Sequence, residues 1–485
     1  MSLFARKSIE GIIAESESGP HKLRRTLGPT SLIALGIGAI IGAGLFSLTG
    51  LAAAEKAGPA VVLSMLVAGI GCAFAGLCYS EFSSMIPVAG SAYTYAYTTL
   101  GEWLAWIIGW DLVLEYAVGA ATVSISWSAY VVSLLGDFGI HLPAQLVSGP
   151  FEPLKLPDGR VIHGIINLPA VIIVLAVSLL LMLGIKESAR TNGVIVVVKL
   201  AVVVVFIGLG WLYIDRANYT PFIPDNQGVF GKYGLSGIMA GAGTIFFAYI
   251  GFDAVSTAAQ EARNPQKDMP VGIIGSLAVC TVLYVLFALV LTGIVHYTEL
   301  GVAAPVAVAI DRTPYLWLNK LVKFGIIAGF TSVILVMLLG QSRVFFSMSR
   351  DGLVPKVFSD IHPTWRTPWR SNLLFCLFVA PFSALLPISV VGEMTSIGTL
   401  FAFVIVCAAV WTLRRTDPGR PRPFRTPWVP LIPILGIVWN FAMMYSLGPS
   451  NWLRLIVWLA LGQVIYFAYS RHHSHLARGK VSGGG

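Results

Sequence analysis

Charge is what this sequence has least of. Only 32 of its 485 residues are Lys or Arg and only 23 are Asp or Glu, 11% in all. Soluble globular proteins carry roughly 25%. A chain so poor in charge cannot coat several water-facing domains, which excludes a soluble enzyme, a disordered protein and a repeat solenoid. Cysteine is scarce too. Cys72, Cys78, Cys280, Cys376 and Cys407 all fall inside apolar runs with no metal-ligand or redox spacing, so they read as small packing residues. His472, His473 and His475 form the only histidine cluster, read as a basic juxtamembrane segment and not as a metal site. A Walker A motif is lacking, because Gly231-Lys232 has neither the preceding glycine nor the following Ser or Thr. ATP-driven pumping is therefore not expected. Neither a filter loop nor rings of pore charge can be found, which argues against a channel.

What is there is hydrophobic: 56% of the residues, gathered into helix-length runs. At roughly 20 apolar residues per span the chain has room for about twelve transmembrane helices. The runs do not alternate as ten-residue strands, which argues against a β-barrel. The expectation is an all-α polytopic membrane protein. The first run begins near Ser31 behind a polar stretch and is long enough to span, so it reads as a helix and not as a cleaved leader.

The net charge of +9 suggests nucleic acid until its distribution is followed. With the amino terminus placed inside, 22 of the 32 basic residues fall in cytoplasmic segments, among them Arg6, Lys7, Lys22, Arg24, Lys186, Arg414, Arg415, Arg420, Arg422, Arg425 and Lys480. Nine fall outside, Arg160 among them, and Lys199 belongs to neither side. This asymmetry sets orientation, with both termini cytoplasmic, a cell-membrane location and anionic lipid headgroups as the partner of the positive charge. No nucleic acid is expected.

The apolar runs lie near 31–53, 60–86, 102–135, 166–185, 193–213 and 236–260, then near 271–296, 321–347, 372–386, 393–413, 430–447 and 452–470. The connection 136–164 is rich in Pro and Gly, and little regular structure is expected there. The chain divides into a cytoplasmic segment 1–30, a first five-helix repeat 31–213, a second 214–413, a basic loop with two further helices 414–470, and a tail 471–485.

Two runs are interrupted. The first reads Gly36-Ile-Gly38-Ala-Ile40-Ile41-Gly42-Ala43-Gly44, the sixth Phe246-Phe247-Ala248-Tyr-Ile250-Gly251-Phe-Asp253. They occupy corresponding places in the two repeats, and paired interruptions of this kind point to a transporter binding site. Freed backbone groups in hydrocarbon must be satisfied by something bound. A zwitterionic amino acid suits both ends, carboxylate on N–H groups and ammonium on carbonyls. Close helix packing through Gly38-x-x-x-Gly42 is the plainer alternative.

A few ionisable residues remain within the runs. Lys199 has only apolar neighbours, about seven residues or roughly 10 Å from the inner end. An ammonium there can stand in for a sodium ion when charged and give up that role when neutral; snorkelling or a structural ion pair are the alternatives. Asp111 and Glu115 are spaced i,i+4 and share a helix face. They offer a site for the cationic end of a substrate, a partner for Lys199, or carboxylates satisfied by local hydroxyls. Glu81 and Glu102, nearer the ends, are expected to be solvated. Thr331 and Ser332 can supply hydroxyls opposite the first break, or simply pack.

At these residues the sequence resembles the amino acid–polyamine–organocation superfamily, its cationic amino acid transporter branch most of all. The resemblance rests on Gly36 to Phe46, on Pro87 to Tyr95, on Gly251-Phe-Asp253 through Met269-Pro270, and on Arg350-Asp-Gly-Leu-Val-Pro355. It implies a leucine-transporter-type fold of twelve helices: two inverted five-helix repeats followed by two peripheral helices. By the same resemblance the backbone of Ile41, Gly42, Ala43 and Gly44, with Ile40 nearby, would hold the substrate carboxylate. The carbonyls of Phe246, Phe247, Ala248 and Ile250 would hold its amino group, with Phe246 or Phe247 as an aromatic gate. Lys199 would fill the sodium position of proton-coupled relatives, beside Gly36, Gly38, Thr331 and Ser332. Asp253 and Glu115 are the candidate carboxylates for a cationic side chain.

The expected function is secondary active, proton-coupled uptake of cationic L-amino acids such as arginine. The proton gradient is the energy source, with no cofactor, metal or ATP. A neutral amino acid symporter and an amino acid exchanger remain alternatives, and an intramembrane enzyme using Lys199, Glu115 and Asp253 is a third.

Overall fold

The computed structural model describes residues 3–18, 25, 27–88, 92–155, 161–184, 189–259, 261–476 and 478. Lys22, Arg24, Arg160, Lys186, Lys480 and the Ala89–Ser91 stretch of the Pro87–Tyr95 motif lie outside these.

The apolar runs fold as helices because nothing else satisfies their backbone away from water. Eight helical stretches among the described residues are long and apolar enough to cross a membrane: Gly44–Met85, Glu102–Gly136, Gly193–Tyr213, Gly234–Ser256, Pro265–Ile294, Trp317–Arg350, Ile388–Thr416 and Pro449–His473. Four apolar helices are shorter: Pro29–Ile40, Leu168–Met182, Trp369–Leu385 and Leu431–Ser446. Every expected run is thus helical, but length alone marks eight spans and not twelve. The 42-residue stretch is not straight. It turns at Gly58, whose φ of 61° and ψ of −148° no helix accommodates, directly before Pro59.

The core lies where Pro265–Ile294 packs along both Val61–Met85 and Pro29–Ile40, and where Leu316–Arg350 packs along Gly119–Gly136. All five cysteines are buried in it as free thiols. The connection after Gly136 is more ordered than its composition suggests. Pro153–Lys155 pairs antiparallel with Val161–His163, Leu154 opposite Ile162.

Glu81 and Glu102 are not solvated; both are buried. Glu81 receives a bidentate pair from Arg414, with both bonds at 2.9 Å, and the Thr426 amide at 2.8 Å. Arg422 stands 3.2 Å away from it. Glu102 accepts from Tyr97, Tyr466 and Ser474. The reason is the same for both: the loop after Thr416 and the carboxyl-terminal tail fold back over helix ends that would otherwise meet water. Arg422 also donates to the carbonyls of Leu413 and Asp417, closing the orphan acceptors at the end of Ile388–Thr416.

Leu27 forms a parallel bridge with Ala262 through two backbone bonds, Leu27 N–H to Glu261 O and Arg263 N–H to Leu27 O. The amino-terminal segment 3–8 runs against the start of Glu102–Gly136, with the Glu102 amide donating to the Ala5 carbonyl and the Trp103 amide to the Leu3 carbonyl. Its Lys7 pairs with Asp351, which also accepts from Tyr93 at 2.6 Å.

Candidate substrate site at two broken helices

Pro29–Ile40 stops because Ile41 is extended, with ψ at 106°. Helix resumes at Gly44 as one wide turn, Gly44–Leu48. The second break is deeper. Gly234–Ile245 passes into a 3₁₀ turn Phe246–Tyr249, Ile250 is extended at ψ 135°, and Gly251 takes φ 113°. A second 3₁₀ stretch, Asp253–Ala258, follows.

The glycines are there because the two breaks touch. A Cβ on Gly44 would sit 2.2 Å from Cα of Ala248, and one on Gly251 would sit 2.7 Å from the Ala39 carbonyl. Between them stands Tyr284, on Pro265–Ile294. Its hydroxyl is 2.9 Å from both the Ile40 and the Ala248 carbonyls. One phenolic proton therefore serves two carbonyls, one from each break. Sequence reasoning missed this residue. The signal was a tyrosine in mid-span, whose hydroxyl must find a partner when buried.

Aromatic side chains pack around both breaks. Phe46 packs on Phe287 and Phe330 with centroids 5.8 and 6.0 Å apart, and its carbonyl accepts from Tyr130 at 2.5 Å. Phe246 is fully buried against Phe403, centroids 5.4 Å apart. Phe247 is also buried, but its carbonyl already accepts from the Ile250 amide at 3.2 Å.

Lys199 is buried and donates from Nζ to the Gly38 carbonyl at 2.9 Å. Its stem runs along Gly329, where a Cβ would come within 3.0 Å of its Cε. The same stripe of Trp317–Arg350 brings Val333 against Gly42, and Ser332 is buried beside it. Two expected neighbours point elsewhere. Thr331 accepts from Trp127 at 3.0 Å and donates to Ile327, and Gly36 packs on Ser276 and Val255.

Glu115 sits in a wide turn, Leu114–Val118, within Glu102–Gly136. Its carboxyl lies within hydrogen-bonding reach of Asp253. Asp253 also accepts from the Gly251 amide at 3.3 Å, and Tyr116 stands beside it. Among the described residues no donor reaches either oxygen of Asp111, and the Thr399 hydroxyl stands by Glu115. Asp111 faces Gly398. Buried carboxyls in this state call for a proton, a cation or a ligand donor.

The amino acid permease family profile matches residues 27–465. The methylthioribose transporter of Bacillus subtilis is 43% identical over 475 residues, covering 98% of this chain and 99% of the relative. The branched-chain amino acid permease BcaP of the same organism is 45% identical over 478 residues, with the same coverage. The vacuolar cationic amino acid transporter 4 of Arabidopsis thaliana is 28% identical over 589 residues, 98% and 96% of the two chains. These relatives are transporters and not enzymes. The chain belongs to the amino acid permease family, within the amino acid–polyamine–organocation superfamily.

Proposed function

We infer that this protein takes up an L-amino acid together with protons by alternating access around the two broken helices. The observation that carries the reading is the meeting of the breaks: Gly44 against Ala248, with one tyrosine hydroxyl on a carbonyl from each. Backbone groups of Ile41 to Gly44 hold the substrate carboxylate, and the carbonyls of Phe246, Phe247, Ala248 and Ile250 hold its amino group. The eight long and four shorter apolar helices supply twelve spans, arranged as two inverted five-helix repeats and two peripheral helices, in the cell membrane with both termini inside. The proton gradient drives the cycle without ATP or a cofactor. Lys199 acts at the cation position by holding or releasing the Gly38 carbonyl. Glu115 and Asp253, two carboxyls buried side by side, favour a cationic side chain such as that of arginine.

A second reading is favoured by the extensive similarity to BcaP. In it the substrate is a neutral branched-chain amino acid, and the Glu115–Asp253 pair holds a proton instead. Purified protein in liposomes decides between them. Labelled arginine should enter under an inward proton gradient without sodium. Leucine uptake in its place assigns the second reading, and uptake that survives collapse of the gradient overturns the coupling.

A further inference from the structure

Besides the Tyr284 bridge, one carboxylate reaches the outer halves of both broken helices. Glu393 lies in the second turn of Ile388–Thr416, at its outer end. Its Oε1 is 3.3 Å from the Thr244 hydroxyl and 3.6 Å from the Lys56 ammonium. Its Oε2 accepts from Asn451 Nδ2 at 2.7 Å, and Asn451 in turn accepts from Arg454 at 2.6 Å. Ser396, one turn on, donates to the Thr244 carbonyl at 3.4 Å.

The positions of the partners matter. Thr244 is two residues before Phe246, where the α-helix gives way to the 3₁₀ turn. Lys56 is in the last turn of the outer half of the first broken helix, just before Gly58. The Thr244 hydroxyl also lies 3.2 Å from the Ala240 carbonyl, so its one proton is shared, and an ionised carboxylate is the stronger acceptor. The Glu393 side chain keeps 14% of its surface exposed, so the carboxylate is wet on one side and anchored on the other.

We propose that Glu393 is a positioning residue for transport: it joins the end of the first broken helix's outer half, through Lys56, to the last helical turn before the second break, through Thr244, and thereby sets the 246–250 carbonyls for the substrate. It touches no substrate itself. The proposal rests on the transport reading above.

The test is a double-mutant cycle in liposomes, with amide exchange on the same samples. Glu393→Ala should raise the uptake KM about tenfold, with little change in melting temperature. It should also speed amide exchange over 244–250 and 53–57. Glu393→Gln keeps an acceptor for Thr244 and should restore KM to within about twofold. In a Thr244→Val background, Glu393→Ala should cost at most a further twofold, because its route to the substrate segment is already cut. Unchanged exchange at 244–250 in Glu393→Ala, full additivity with Thr244→Val, or a Gln variant as impaired as Ala would each overturn the proposal. A wild-type protein that moves no amino acid would defeat the transport reading instead, and amide exchange would still decide the linkage.

Discussion

The Nζ of Lys199 donates to the Gly38 carbonyl across 2.9 Å, two residues before the first helix breaks. A buried ammonium thus holds a backbone acceptor that an intact helix would have satisfied itself. Lys199→Met keeps the stem along Gly329 and removes only the donor. The variant should melt within a few degrees of wild type, yet its uptake should no longer change with external pH. A pH profile like that of wild type would count against the role given to Lys199.

Tyr284→Phe removes one hydroxyl and leaves two carbonyls without it. A neutral hydrogen bond contributes about 1 kcal/mol, so the fold should survive. Because those carbonyls belong to Ile40 and Ala248, uptake should suffer more than stability, with KM rising several-fold. Initial rates over a substrate series, beside a melting curve, measure both. A loss of stability with normal KM would make Tyr284 a packing residue.

The glycines of the first break separate into two kinds. A Cβ at Gly44 would clash with the Ala248 backbone, whereas one at Gly42 would meet Val333 at an ordinary 3.5 Å. Gly44→Ala should therefore push the breaks apart, costing about 1–3 kcal/mol, and abolish uptake. Gly42→Ala should retain most of it. Parallel uptake assays on the two variants check the distinction, and equal tolerance would show that the breaks are not in functional contact.

Glu81→Gln leaves Arg414 and Arg422 without their buried counter-charge. Losing one partner of a buried pair costs about 3–5 kcal/mol, less here because Arg414 is partly exposed. Lower expression and a lower melting temperature are expected, with KM unchanged in the protein that remains. A shift in KM would place Glu81 in the transport cycle.

The class of the molecule, its helical runs and both breaks were legible in the sequence, since scarcity of charge and mid-span glycines are local signals. Lys199 was legible for the same reason, as a lone charge among valines. The side-chain environments were not. Glu81 and Glu102 lie near helix ends, and only the fold shows that residues more than 300 positions later cover them. Tyr284, Thr244 and Glu393 were missed because what distinguishes each is a partner on another helix, which spacing cannot show. Thr331 and Gly36 share the expected neighbourhood in sequence, but helical rotation turns one to Trp127 and the other to Ser276.

The basic loop after Thr416 carries a further consequence. Its arginines count toward orientation, because insertion depends on where positive charge stands in the chain. In the folded protein Arg414 and Arg422 face Glu81, and Arg420 is shared between Glu10 and Asp417. Two of the three guanidinium groups after Thr416, and that of Arg414 just before it, are thus committed to the protein itself. The charges counted along the chain and the charges that the finished surface offers its surroundings are different sets, and the second is smaller.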